Sequence, residues 1–151
     1  FLRGRNELAV AETMAGRVNF LPRDPVTGAL DVSNKRSVNL GIAVDNIRRV
    51  PATAGGMTSD DLVVASFPDP FVTLDSLVHP VTFNKTVAAM AVYLRASDNY
   101  LRPLVAFHDK AGAGLNTLTG YTMVPSKRKL VAGSVMYDGL VVCDVDYDFL
   151  K

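Results

Sequence analysis

The balance between β-branched residues and helix formers constrains the fold of this chain most strongly. Of its 151 residues, 21 are valine and only two, Glu7 and Glu12, are glutamate. Valine has a stiff side chain that fits a pleated surface, whereas glutamate favours helices. The 11 glycines and 8 prolines divide the chain into short segments. The sequence therefore predicts a mainly β fold, a sandwich or a barrel, with at most one or two short helices.

Length and composition predict one β-rich domain over residues 1–151. Apolar residues make up 48% and charged residues 21%, which is typical of a globular chain that buries its own core. The one cysteine, Cys143, excludes an internal disulfide. A net charge of +1 argues against specific nucleic-acid binding, and the apolar runs are too short to span a bilayer, so no membrane partner is expected.

Apolar periodicity predicts where the strands lie. The strand candidates are 18–21, 38–44, 62–67, 71–74 and 104–107. Residues 75–80 have room for one helical turn before Pro80. Residues 86–94 are apolar on every face, so both a buried strand and a buried helix fit them, and their length and flanking turns favour the strand.

The N-terminal region is predicted to be an assembly element. Phe1, Leu2, Arg3 and Arg5 combine apolar anchors with charge at a chain end, so we expect assembly contacts from these residues. Residues 1–17 are a possible N-terminal arm, and removal of residues 1–12 is expected to weaken assembly more than folding.

A second segment is predicted to make contacts or to move. The loop Pro51–Asp61 contains Gly55 and Gly56, which permit positive φ, so we expect it to be exposed.

Residues 130–149 are predicted to form a β-hairpin closed by a two-residue turn at Asp138–Gly139, since Asp-Gly suits a type I′ turn. That turn sets an expected register. It pairs Leu130 with Tyr147, Ala132 with Val145, Ser134 with Cys143, and Lys129 with Asp148. In this register Val145 and Tyr147 are buried.

The same register leaves an acidic strand face exposed, formed by Asp144, Asp146 and Asp148. This face has two interpretations: a calcium site, or an acidic stripe that contacts solvent or a partner.

The remaining reactive side chains give no catalytic signal. His79 and His108 are predicted to be surface or boundary residues, because no nucleophile is tied to them by a recognisable motif. Cys143 lies between Val142 and Asp144 and is predicted to pack in the core. The expectation is therefore a protein that is not an enzyme and has no metal or cofactor.

Two short segments resemble virion proteins of tailed bacteriophages. Residues Phe1-Leu2-Arg3-Gly4-Arg5 with 7–12 resemble the opening of tail tube proteins, over about a dozen residues. Residues 128–133 with 137–142 resemble a hairpin of phage head decoration proteins. The resemblance implies a structural subunit, located in the virion, whose partners are copies of itself and other structural proteins.

Two other classes of function stay open. One is a ligand- or carbohydrate-binding β module, although the chain has no tryptophan to place over a groove. The other is a small hydrolase with an unrecognised site. Either alternative would place the protein in a secreted or cytoplasmic location.

Overall fold

The computed structural model describes residues 1–2, 4–51, 60–79, 87–112, 120–134 and 139–146. In these ranges the chain forms ten strands, one α-helix and two short 3-10 helices. The strands are β1 (Glu7–Glu12), β2 (Arg17–Pro22), β3 (Arg36–Asn39), β4 (Ala43–Arg49), β5 (Leu62–Phe67), β6 (Ala89–Leu94), β7 (Leu104–Asp109), β8 (Gly120–Val124), β9 (Lys129–Gly133) and β10 (Leu140–Asp144). The helix α1 spans Pro70–Val78, and the 3-10 helices span Ala96–Asp98 and Pro125–Lys127. The predicted mainly β fold is confirmed.

The strands form three antiparallel sheets. The N-terminal sheet has the order β1-β2-β3, and the central sheet has the order β4-β5-β6-β7. The C-terminal sheet has the order β10-β9-β8. Each described connection inside a sheet joins neighbouring strands, as in a meander.

The central sheet is covered on both faces. Val63 and Ala65 of β5 belong to a core shared with the C-terminal sheet. Leu62 and Val64, which alternate with them, belong to a second core shared with the N-terminal sheet. All six residues of β5 are consequently buried. The fold is therefore a three-layer β sandwich, and a strand in its middle layer needs apolar residues at every position.

This double burial resolves the segment 86–94, which is apolar on every face. Residues 89–94 form β6, which lies between β5 and β7, so the strand interpretation is confirmed for them. Val92 and Leu94 contribute to one core, while Ala91 and Tyr93 contribute to the other.

The single strand predicted over 38–44 is wrong. The chain leaves the N-terminal sheet after Asn39 and enters the central sheet at Ala43. Gly41 lies between them with φ +68°, a left-handed conformation that turns the chain. The alternation of apolar residues continues through this turn because both β3 and β4 place side chains in the same core.

The strand predicted over 71–74 is also wrong, because these residues lie in α1. The side chain of Asp69 caps this helix by accepting from the backbone N–H groups of Phe71 and Val72. Pro70 occupies its first turn, where the missing N–H costs nothing. The Asp-Pro pair was thus a helix-start signal within a segment that was interpreted as a strand.

The register of the C-terminal hairpin differs from the prediction by four residues. Leu130 lies opposite Cys143, Ala132 opposite Val141, and Lys129 opposite Asp144. The last pair of the ladder joins Gly133 to Leu140, so the strands are not closed by a two-residue turn at Asp138–Gly139. An even shift keeps the same side chains on the core face, so the apolar pattern could not detect it.

The predicted faces of this hairpin are confirmed where they are described. Val145 is buried in the core shared with the central sheet. Asp144 and Asp146 are exposed. Tyr147 and Asp148 lie outside the described residues.

Candidate assembly surface

Helix α1 exposes large apolar side chains and buries polar ones, which is the reverse of the usual arrangement in a surface helix. Its exposed side chains include Phe71 (76% exposed), Leu74 (48%) and Val78 (60%). Their spacing of three and then four residues places them on one side of the helix. Thr73 and Ser76 are instead buried. The helix therefore presents an apolar stripe, formed by Phe71, Leu74 and Val78, to the outside of the subunit.

The buried hydroxyl groups of α1 are satisfied within the helix itself. The Thr73 hydroxyl donates to the backbone oxygen of Asp69 at 2.8 Å, and the Ser76 hydroxyl donates to that of Thr73 at 2.6 Å. Because these hydroxyls have partners, burying the polar side of the helix costs little.

Both predicted boundary histidines lie at the ends of elements. His79 is the C-cap of α1, and its Nδ1 lies 3.0 Å from Oδ1 of Asp75, one turn earlier. Both side chains of this pair are more than half exposed. His108 lies near the end of β7, where it is exposed. The His79–Asp75 pair is thus an exposed contact on the last turn of the helix.

Strand β10 forms an edge of the C-terminal sheet and carries exposed apolar side chains. Leu140 is 69% exposed and Val142 is 58% exposed. The Val145 N–H donates to the Arg128 oxygen at 2.9 Å. Val141 and Cys143, which alternate in step with Val145, therefore direct their backbone groups towards β9. In an antiparallel ladder, the residues alternating with these direct their N–H and C=O groups away. Leu140, Val142 and Asp144 therefore direct their backbone groups to the outer edge.

The acidic strand face is paired with basic side chains of the neighbouring chain segment. Lys129 Nζ lies 2.5 Å from Oδ1 of Asp144, and Arg128 Nη2 lies 3.4 Å from Oδ1 of Asp146. Lys129 was expected to face Asp148, which lies outside the described residues. Both carboxylates therefore have a cationic partner within the subunit, in pairs that stay exposed to solvent.

The edges of the central sheet are built differently from β10. In β4 the register shifts by one residue between Val44 and Ile47. In β7 it shifts by one residue between its partners Ala91 and Val92. Such bulges bend an edge strand and discourage pairing with another chain. The β9–β10 ladder has no shift over its five pairs.

The N-terminal residues bind to their own subunit. Leu2 is fully buried in the core below the N-terminal sheet, and its N–H donates to the Glu7 oxygen at 2.8 Å. Leu2 is therefore a core residue, in contrast to its predicted role as an assembly contact. Within the possible arm 1–17, residues 7–12 form β1, which pairs with β2. Arg3 lies outside the described residues.

The exposed N-terminal side chains also contact this subunit. Phe1 is half-exposed, and the guanidinium of Arg23 lies 4.9 Å from its ring centroid. Arg5 lies 5.1 Å from the ring centroid of Tyr100 and donates to Oδ1 of Asn99 at 2.5 Å. An assembly role for Phe1 and Arg5 stays a prediction.

An arginine joins the N-terminal sheet to Tyr100. The rings of Phe20 and Tyr100 are stacked with centroids 4.6 Å apart, and the Arg36 guanidinium lies 3.9 Å from the Phe20 centroid. Arg36 also donates two hydrogen bonds to the carboxylate of Glu7, at 2.8 and 3.1 Å. This cluster uses the charges of Arg36 and Glu7 to hold the subunit together.

Sequence reasoning missed a buried acidic site at the start of β5. Asp61 accepts hydrogen bonds from the Tyr93 hydroxyl at 2.7 Å and from the Ala96 N–H at 2.6 Å. The Tyr100 hydroxyl donates to the backbone oxygen of Asp60 at 2.8 Å. Burial raises the pKa of Tyr93, and its hydrogen bond to Asp61 raises it further. The position of two aspartates directly before a strand that is apolar except for Ser66 was the signal for this site.

This site corrects the prediction for the loop Pro51–Asp61. Pro51 is exposed as expected, but Asp60 and Asp61 are buried. Hydrogen bonds from the Tyr93 hydroxyl and the Ala96 N–H satisfy the Asp61 carboxylate. Asp60 lies beside Arg49, with its Oδ1 3.9 Å from Arg49 Nε. Residues 52–59, including Gly55 and Gly56, lie outside the described residues.

Cys143 is half-buried on the core side of β10. Burial raises the pKa of its thiol, and the Asp144 and Asp109 carboxylates raise it further. A raised pKa keeps the thiol protonated and weakly nucleophilic at neutral pH.

A cleft of about 570 Å³ is lined by residues of the C-terminal sheet and by Arg48 of β4. Gly120 and Gly133, which pair with each other across β8 and β9, are both in this lining. A Cβ atom added at Gly120 would meet no atom within 4 Å, so this part of the cleft is bare backbone.

Two features are absent from the described part of the chain. There, no group of three or more His, Cys, Asp or Glu side chains is placed to hold a metal ion. No helix in that part is long and apolar enough to cross a membrane.

The chain matches no protein-family model and no curated protein.

Proposed function

We propose that this chain is a non-enzymatic structural subunit of a virion or a similar protein assembly. Its partners are copies of itself and other structural proteins. The observation that carries the proposal is the inverted polarity of α1, whose apolar stripe faces outward while its hydroxyl-bearing residues face inward.

A subunit that acts alone gains nothing from this arrangement. Each large apolar side chain contributes about 1.5–3 kcal/mol when it is fully removed from water. Much of this stabilisation is absent in the isolated subunit, because Phe71, Leu74 and Val78 are about half exposed or more. A partner that covers the stripe recovers this energy. Contiguous exposed apolar residues are accordingly typical of interaction sites.

The polar groups of the molecule support a structural role rather than catalysis. Asp61 binds Tyr93 and Ala96, and Glu7 binds Arg36. Burial and neighbouring carboxylates keep the Cys143 thiol protonated at neutral pH. The Asp61 and Glu7 carboxylates are engaged in holding elements together, and the thiol is weakly nucleophilic, so assembly is the function that best fits the exposed surface.

The mass of the full chain in solution tests the proposal. We expect light scattering after size exclusion, and sedimentation velocity, to detect oligomers whose population rises with concentration. Replacing the stripe by polar helix formers, as in Phe71→Gln with Leu74→Gln, should lower the oligomer population. A matched control is Val26→Gln, at a side chain that is 90% exposed in a turn. A chain that stays monomeric at all concentrations would refute the proposal.

A further inference from the structure

We infer that β10 pairs antiparallel with β10 of a second copy of this chain, about a two-fold axis at Val142. The two C-terminal sheets then join into one sheet with the order β8-β9-β10-β10-β9-β8. This inference rests on the proposed function, and it names a second copy of the chain as the partner of the β10 edge.

The backbone of β10 is arranged for this pairing. Leu140, Val142 and Asp144 direct their N–H and C=O groups away from β9, as the Val145–Arg128 hydrogen bond requires. An axis at Val142 sets this residue opposite itself, and it sets Leu140 opposite Asp144 of the second copy. Each of these pairs exchanges two hydrogen bonds, so the three pairs satisfy the outward groups of both edges.

The side chains match in the same register. The exposed face brings Val142 against Val142 of the second copy, which covers a side chain that is 58% exposed in the subunit. On the core face, Val141 comes opposite Cys143 of the second copy. Both residues are only partly buried in the subunit. The pairing therefore extends the apolar face that already packs on the central sheet.

The charges favour this register over the one whose two-fold axis lies at Asp144. An axis at Asp144 would set two carboxylates directly opposite each other, which is destabilising. An axis at Val142 instead separates the two Asp144 residues by four positions, about 13 Å along the strand. It also leaves each Asp144 with its own Lys129. The edge is thus complementary to a copy of itself, as an isologous interface requires.

Cross-linking tests the register directly. In a Cys143→Ser background, Val142→Cys sets two thiols opposite each other, with Cα atoms about 5.5 Å apart. That separation lies within the usual range of disulfides. We expect oxidation to convert most of this variant into a covalent dimer on a non-reducing gel. Leu140→Cys in the same background is the matched control. It should not cross-link to itself, whereas Leu140→Cys combined with Asp144→Cys should.

A proline variant tests the edge without a cross-link. Val142→Pro removes an N–H that faces outward, so the bonds between β9 and β10 are kept. We expect at least a tenfold weaker dimer with unchanged circular dichroism and melting temperature at low concentration. Val142→Ala keeps the N–H and should weaken the dimer less.

The outcomes separate this inference from the proposed function. If the chain assembles while Val142→Cys gives no more covalent dimer than Leu140→Cys, the β10 pairing is wrong and the structural role stands. If the native chain fails to assemble at all, both are wrong. Cross-linking at position 142 together with weakening by Val142→Pro supports both.

Discussion

The hydroxyl of Tyr93 on β6 donates a 2.7 Å hydrogen bond to Oδ2 of Asp61, the residue that precedes β5. Both side chains are almost completely buried. Because the other carboxylate oxygen accepts from the Ala96 N–H, Asp61 joins the start of one central strand to the turn that follows the next. This buried carboxylate therefore connects β5 and β6 in the middle layer of the fold.

Replacing Asp61 is expected to destabilise the subunit strongly. In Asp61→Ala the Tyr93 hydroxyl and the Ala96 N–H lose this partner, and each buried group left unsatisfied costs about 1–3 kcal/mol. Chemical denaturation should measure the loss as a lower midpoint. Tyr93→Phe is the matched control, since it removes one donor and should cost less. Equal stability of Asp61→Ala and the native chain would contradict this role.

Alkaline pH is expected to weaken the fold through Tyr100. Burial raises the pKa of Tyr100 to about 12 from a usual value near 10. The folded protein therefore holds this proton more tightly than the unfolded chain does. The resulting stabilisation is complete below about pH 10 and is lost as the pH rises towards 12. Denaturation midpoints measured from pH 9 to 12 should fall less steeply in Tyr100→Phe than in the native chain.

The N-terminal residues are expected to matter for folding. Leu2→Ala should cost about 2–5 kcal/mol, as for other buried leucines, because Leu2 lies fully inside the core. Phe1→Ala, at a half-exposed side chain, should cost less. Removal of residues 1–12 deletes Leu2 and β1 together, so we expect unfolding rather than only the loss of assembly that the sequence suggested. A truncated chain with the native melting temperature would contradict this view.

Acid titration of Glu12 provides a local test of the N-terminal sheet. Hydrogen bonds from Arg17, and then from Asn19, lower the pKa of Glu12 to about 2 from 4.5. The lowered pKa means that this contact stabilises the fold above about pH 4.5 and is lost as the pH falls towards 2. Carboxyl-carbon NMR should give a midpoint near 2 for Glu12. The midpoint should rise in Arg17→Gln, and an unchanged value would exclude the Arg17 contact in solution.

The amino-acid sequence determined which segments of the central sheet become strands. Residues 62–67 and 89–94 are short, almost wholly apolar on both faces and bounded by turns, which is enough to favour strands. It also determined which hairpin side chains face inward, because a strand alternates its faces whatever its partner. These properties are local, since they depend on the chain's own periodicity.

Only the tertiary structure decided the partners of those faces. The hairpin register predicted from an Asp138–Gly139 turn and the observed register differ by an even number of residues. The same side chains therefore face the core in both registers, so the apolar pattern could not distinguish them. The outward stripe of α1 likewise depends on where the helix docks, because periodicity marks an apolar side without saying whether the core or a partner covers it. The strand register and the docking of α1 depend on contacts between residues far apart in the chain. The pattern of a single segment therefore cannot predict them.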